Sequence, residues 1–130
     1  MPRQRVFTLE EARELLPALR SRLADLREIW REIAPYRDEA RLLARRAANA
    51  GGATMVRAGE YFRISRKLAS QMAHFKKSGI ELKDIETGLV DFPAIRDGRV
   101  IYLCWRMEEE TITHWHEIEA GFPGRQPLDD

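Results

Sequence analysis

Between residues 9 and 33, apolar side chains recur at alternating spacings of three and four: Leu9, Ala12, Leu16, Leu19, Leu23, Leu26, Trp30 and Ile33. That period gathers into one stripe on an α-helix and scatters over both faces of a strand. The first quarter of the chain is therefore committed to a long amphipathic helix. Such a stripe must be covered, either by another part of the chain or by a second chain along a coiled-coil seam. The helix has a defined start. Thr8-Leu9-Glu10-Glu11 reads as a capping box, in which the Thr8 hydroxyl accepts from the Glu11 N–H and the Glu11 side chain reaches back. Pro17 lies inside the stripe and removes a backbone donor, which predicts a kink near residues 13–16.

A second proline, in "APYRDEA", places a helix end or turn at residues 33–36. "RDEARLLARRAANAGG" is again helical in composition and stops at Gly51-Gly52. From about Ala53 to Lys77 a further helix fits, with Met55, Ala58, Phe62, Ser65, Leu68, Met72 and Phe75 as its apolar stripe and Lys76 and Lys77 suited to its C-terminus.

The pattern then changes. Val100-Ile101-Tyr102-Leu103-Cys104-Trp105 is a β-branched and aromatic run, the strongest strand in the chain. Asp97-Gly98 before it is a hairpin turn, so residues 89–95 are its partner strand. Pro93 in that partner points to an edge strand or a bulge. Residues 80–83 add a third short strand. "EEETITHWHEIEAGF" reads as a short helix over about 109–120, with acids at its positive end and Gly121 at its stop, followed by a polar tail over 121–130. The expected architecture is thus a single α+β domain. A helical part over 8–78, a long antiparallel hairpin of two or three helices, precedes a small antiparallel sheet over 80–106 and the short C-terminal helix.

The overall charge of +1 hides an asymmetry: residues 1–80 carry +8 and residues 81–130 carry −7. The arginines of 20–46 are interleaved with acids and lack interleaved aromatics. The halves are therefore expected to complement one another, within the chain or across a homodimer, rather than to bind nucleic acid. The hydrophobic and charged shares of 44% and 33% fit a globular protein rather than a membrane span. A single cysteine and an N-terminus without an apolar core point to a cytosolic protein.

"FTLEEARELLPALR", "GIELKDIETGLVDFPA", "DGRVIYLCWR" and "WHEIEAGFPGRQPL" together resemble DUF2203, a family of small prokaryotic proteins of unknown function. The resemblance implies no chemistry. It marks Asp84, Gly88, Asp91, Pro93, Trp105, Trp115, His116, Glu117, Gly121 and Arg125 as positions that match the family pattern. His114 departs from it, since an aromatic residue is usual there.

Those positions define a candidate site where the hairpin meets the "WHE…GRQ" segment. His116, Glu117 and Asp91 are candidate ligands for a divalent metal, zinc or iron. Alternatively, His116 tuned by Glu117 or Asp91 serves a pocket walled by Trp105 and Trp115, with Arg125 clamping a small anionic ligand. His114 joins His116 on one face only if the segment is a strand. Cys104 reads as a small core residue. The competing reading is an adaptor that uses the helical seam for oligomerisation or partner binding.

Overall fold

The computed structural model describes residues 4–50 and 58–129, with the backbone alone over 47–50. Its elements are helices α1 (Leu9–Ala50) and α2 (Ala58–Ser78), then strands β1 (Glu81–Asp84), β2 (Leu89–Arg96), β3 (Arg99–Arg106), β4 (His114–His116) and β5 (Gln126–Pro127). A 3₁₀ turn at Phe122–Gly124 separates β4 from β5. The strands form one antiparallel sheet in chain order, β1 to β5. Tyr36 meets Tyr61 and Arg22 bonds Gln71, so the two helices run antiparallel. Among the described residues no helix is long and apolar enough to cross a membrane.

The capping box forms as its sequence dictates. The Thr8 N–H donates to Glu11 Oε1 at 2.9 Å and the Glu11 N–H donates to Thr8 Oγ1 at 3.0 Å. This closes two of the donors that every helix start leaves open. Thr8→Ala is expected to lower stability by about 1 kcal/mol, measured as a shift in the urea midpoint at constant m-value.

The helix does not stop at residues 33–36. It continues through Pro17 and Pro35 to Ala50, so among the described residues the helical part has two helices where a third was possible. Ile33 and Tyr36, on either side of Pro35, are buried together with Ile64 of α2. That packing holds the turn whose backbone bond the proline deletes. The Leu9–Ile33 stripe turns inward. Leu16, Leu19, Leu23 and Leu26 are buried in one core with Val90, Phe92, Ala94, Ile101, Leu103, Trp105 and Trp115 of the sheet. The seam considered for a partner is therefore filled from within the chain. In α2 the buried stripe is Ile64 and Phe75, with Leu68 packed alongside, whereas Phe62 and Met72 are exposed. The expected α2 stripe was rotated by part of a turn. Met55, its first residue, lies outside the described residues.

The hairpin follows the expected register. Asp97 and Gly98 both have positive φ, 51° and 77°, as a two-residue turn between twisted strands needs. Arg96 then pairs with Arg99, and each step back pairs one residue further, down to Leu89 with Arg106. Pro93 is accommodated because β1 pairs only as far as Asp91. Beyond it the N-terminal segment takes over: the Phe7 N–H donates to the Pro93 carbonyl at 2.7 Å. The missing N–H of Pro93 lies on that same local edge, away from β3.

The segment expected as a C-terminal helix is extended instead. His114–His116 adds to β3 as strand β4, with Trp115 opposite Leu103 and His116 opposite Tyr102. The acids at 108–110 do not cap a helix. Glu109 accepts from the Arg106 N–H at 2.8 Å and from Arg125 Nη2 at 2.9 and 3.0 Å, which folds 106–113 into a loop. Arginines of α1 hold this loop. Arg20 donates to the Met107 and Glu109 carbonyls at 3.2 and 2.9 Å, and Arg13 to the Ile112 carbonyl at 2.7 Å. Arg31 pairs with Glu86 at 2.9 Å. These contacts run from the basic half of the chain to the acidic half.

Candidate functional site

Alternation along the strands decides what each side chain of the hairpin can reach. Val90, Phe92, Leu103, Trp105 and Trp115 face the helices and form the core. Their neighbours face the other way. Glu81, Asp91, Cys104 and His114 are consecutive cross-strand partners, and Tyr102 opposes His116 two residues along the same face. A sheet face turned away from its helices is ordinarily polar and wet. Here it holds the most deeply buried polar group among the described residues: Asp91 is 3% exposed, His116 2% and Cys104 0%.

His116 is fixed at both ring nitrogens. Nδ1 lies 2.8 Å from the Glu117 carbonyl and Nε2 lies 3.0 Å from Asp91 Oδ1. A carbonyl only accepts, so Nδ1 carries a proton and Nε2 is the nitrogen aimed at the carboxyl group. The Cys104 thiol belongs to the same buried group. Burial, then the Asp91 charge, push that thiol up to about 12, so without a metal it is protonated at neutral pH. One ligand atom from each of Asp91, Cys104 and His116 lies within 4.8 Å of the other two. Tyr102 flanks the group, its ring 5.5 Å from that of His116. Burial, then a hydrogen bond to Glu81, push its phenol up to about 12 as well.

Chemically, three strands contribute one oxygen, one sulfur and one nitrogen donor at a single point. All three donor atoms lie within 4.8 Å of one another, and His116 Nε2 and Asp91 Oδ1 are already hydrogen-bonded at 3.0 Å, so an ion with bonds of about 2.0–2.3 Å would replace that hydrogen bond and move those two atoms slightly apart. The Nδ1–H···O=C bond of His116 is the orienting contact that metal-bound histidines characteristically make through their other nitrogen.

The remaining expected site residues are elsewhere. The Glu117 side chain points to solvent and pairs with Arg99, Oε1 to Nε at 2.7 Å, and only its backbone carbonyl serves His116. Its carboxyl is held below the usual range by that guanidinium. Trp105 and Trp115 lie on the helix-facing side and are core, not pocket walls; each is a sequence neighbour of a site residue, and strand alternation sends neighbours to opposite faces. Arg125 is engaged internally. It donates to the Cys104 carbonyl at 3.3 Å and to both Glu109 oxygens, with its guanidinium 4.8 Å from the centre of the Phe122 ring. His114 shares the strand face with His116, but its Nδ1 is 2.8 Å from the Thr113 hydroxyl. Cys104 is the residue the sequence reading left in the core. Counting back from the two-residue Asp97-Gly98 turn places it directly opposite Asp91, so hairpin register was the signal that could have found it.

The profile of an uncharacterised conserved protein family, DUF2203, matches residues 5–128. The chain belongs to that family. Comparison with curated proteins gives no match, and comparison with solved structures gives none either. The family description assigns no activity, so the chemistry of the buried group has to be argued from its own geometry.

Proposed function

We propose that this protein binds one divalent transition metal ion, zinc foremost, through Asp91, Cys104 and His116, as a buried three-ligand centre that ties β2, β3 and β4 together. The observation that carries this reading is the convergence of a carboxylate, a thiol and an oriented imidazole on one buried point. The donor set is one that zinc accepts, and thiolate with imidazole favours zinc or iron over magnesium or calcium. Cys104 takes the ligand role that the sequence suggested for Glu117. Burial of all three side chains keeps the centre out of bulk solvent, while three protein ligands leave a fourth position for a water molecule or another small ligand.

Binding must displace the thiol proton, because the thiolate is the ligand. Burial and the Asp91 charge push the thiol well above neutral, so over the neutral range each bound ion releases that proton. Apparent affinity is therefore expected to rise about tenfold per pH unit between pH 6 and 8, the direction opposite to that of a site that gains protons. Cobalt(II) substitution tests both points. A thiolate-to-cobalt charge-transfer band should appear in the near ultraviolet, strengthen with pH at fixed cobalt and vanish in Cys104→Ser. A titration with no such band in the wild-type protein would remove Cys104 as a ligand and this reading with it.

A further inference from the structure

A groove runs between α1 and α2 on the side away from the sheet core, with a volume of about 810 Å³. Its two walls carry opposite charge. Asp25, Glu28 and Glu32 line it from α1, and Arg63, Arg66 and Lys67 line it from α2. All six are exposed, and among the described residues none forms an ion pair within 4 Å. This contrasts with other charged residues of α1 and the sheet, such as Arg31 with Glu86 and Arg99 with Glu117, which close on their partners at 2.9 and 2.7 Å. Ile29 lines the groove, and so does Phe62, which is 63% exposed with Arg66 5.9 Å above its ring. Ile29 and Phe62 thus set an apolar strip between two oppositely charged walls.

We propose that a second copy of this chain covers the groove, docked groove to groove in a homodimer. Symmetry supplies the argument. A two-fold axis along the groove carries the acidic wall of one copy over the basic wall of the other, and the reverse, at the same height along the helices. A two-fold axis across the groove sets acid on acid and is rejected by charge. The face is therefore complementary to itself in one arrangement, in which the two α1 helices run parallel and the Phe62 side chains close the seam from both sides. A partner of a single charge, such as a nucleic acid or an acidic peptide, meets repulsion from one wall in any orientation. The Leu9–Ile33 stripe takes no part, because it is filled from within the chain.

The test is a pair of charge reversals followed through sedimentation velocity at low and high salt. Wild-type protein should sediment as a dimer that weakens as salt rises. Arg63→Glu with Arg66→Glu gives a chain with two acidic walls, and Glu28→Arg with Glu32→Arg gives one with two basic walls. Each variant alone should be monomeric, with the helical circular dichroism of the wild type because the replaced side chains are exposed. An equimolar mixture of the two should recover the dimer. Phe62→Ala, which leaves both charged walls intact, should also weaken the wild-type dimer about tenfold. A monomeric wild-type protein at high micromolar concentration overturns the proposal. So do reversed variants that dimerise as well alone as mixed, which would place any interface elsewhere.

Discussion

His116→Ala is expected to lower stability by about 3–5 kcal/mol and to abolish metal binding. The stability term follows from burial. At 2% exposure His116 holds one oxygen of an aspartate that is itself 3% exposed. Removing one member of such a pair leaves the other buried without its partner, the costly way to break a buried polar contact. Asp91→Asn keeps a hydrogen-bonding amide against His116 Nε2 at nearly the same shape and is expected to cost about 1–2 kcal/mol. It removes the charge a metal needs, so it separates the two consequences: stability largely kept, metal lost. Urea unfolding with and without added zinc reads both. The wild type should gain about 2.7 kcal/mol at free zinc a hundred times the dissociation constant, and the two variants should gain almost nothing. A His116→Ala protein that is destabilised by less than about 1 kcal/mol and is still stabilised by zinc contradicts the account.

Trp105→Ala is expected to cost a similar amount, about 3–5 kcal/mol, with no effect on the metal content of the folded protein. The indole has no exposed surface, packs in the core between the sheet and α1, and donates its N–H to the Glu109 carbonyl at 3.0 Å. Its truncation opens a large cavity and releases the loop that Glu109 anchors. It sits on the far side of the sheet from Asp91, so the folded fraction should keep its full metal content. Denaturant midpoints measured beside metal content per folded protein check this. Parallel loss of metal in Trp105→Ala and His116→Ala would mean that metal content reports folding and nothing more specific.

The parts of the fold that local physics controls could be read from the chain alone. The Thr8 capping box, the α1 stripe and the hairpin around Asp97-Gly98 each depend on residues within a few positions of one another, and each is present as read. The misreadings share a different origin. Pro35 ends isolated helices, yet here Ile33, Tyr36 and Ile64 pack across it and the helix continues. The 108–118 segment has acids placed for a helix start, but pairing with β3 and the arginine contacts from α1 bind its backbone as loop and strand. Both outcomes are set by contacts between residues far apart in sequence.

The candidate site was half legible for the same reason. Asp91 and His116 stood out by residue type and do meet. Glu117 and Trp115 were grouped with His116 because they adjoin it in the sequence. In a strand they cannot face the site together with it, because successive residues alternate. Cys104 was overlooked because an apolar run disguises a thiol, although register alone sets it opposite Asp91. Arg125, read as a free anion clamp, is committed to Glu109 and the Cys104 carbonyl, partners that only the folded chain brings near.

The most direct test of the central claim is metal content. Untagged protein, loaded with zinc and dialysed against metal-free buffer, should retain about one zinc per chain by elemental mass spectrometry. Cys104→Ala and Asp91→Asn, both folded by circular dichroism, should retain less than about a tenth of that, since each removes one of three protein ligands. Absence of zinc from the loaded wild-type protein, or equal zinc in wild type and both variants, would contradict a metal centre at Asp91, Cys104 and His116.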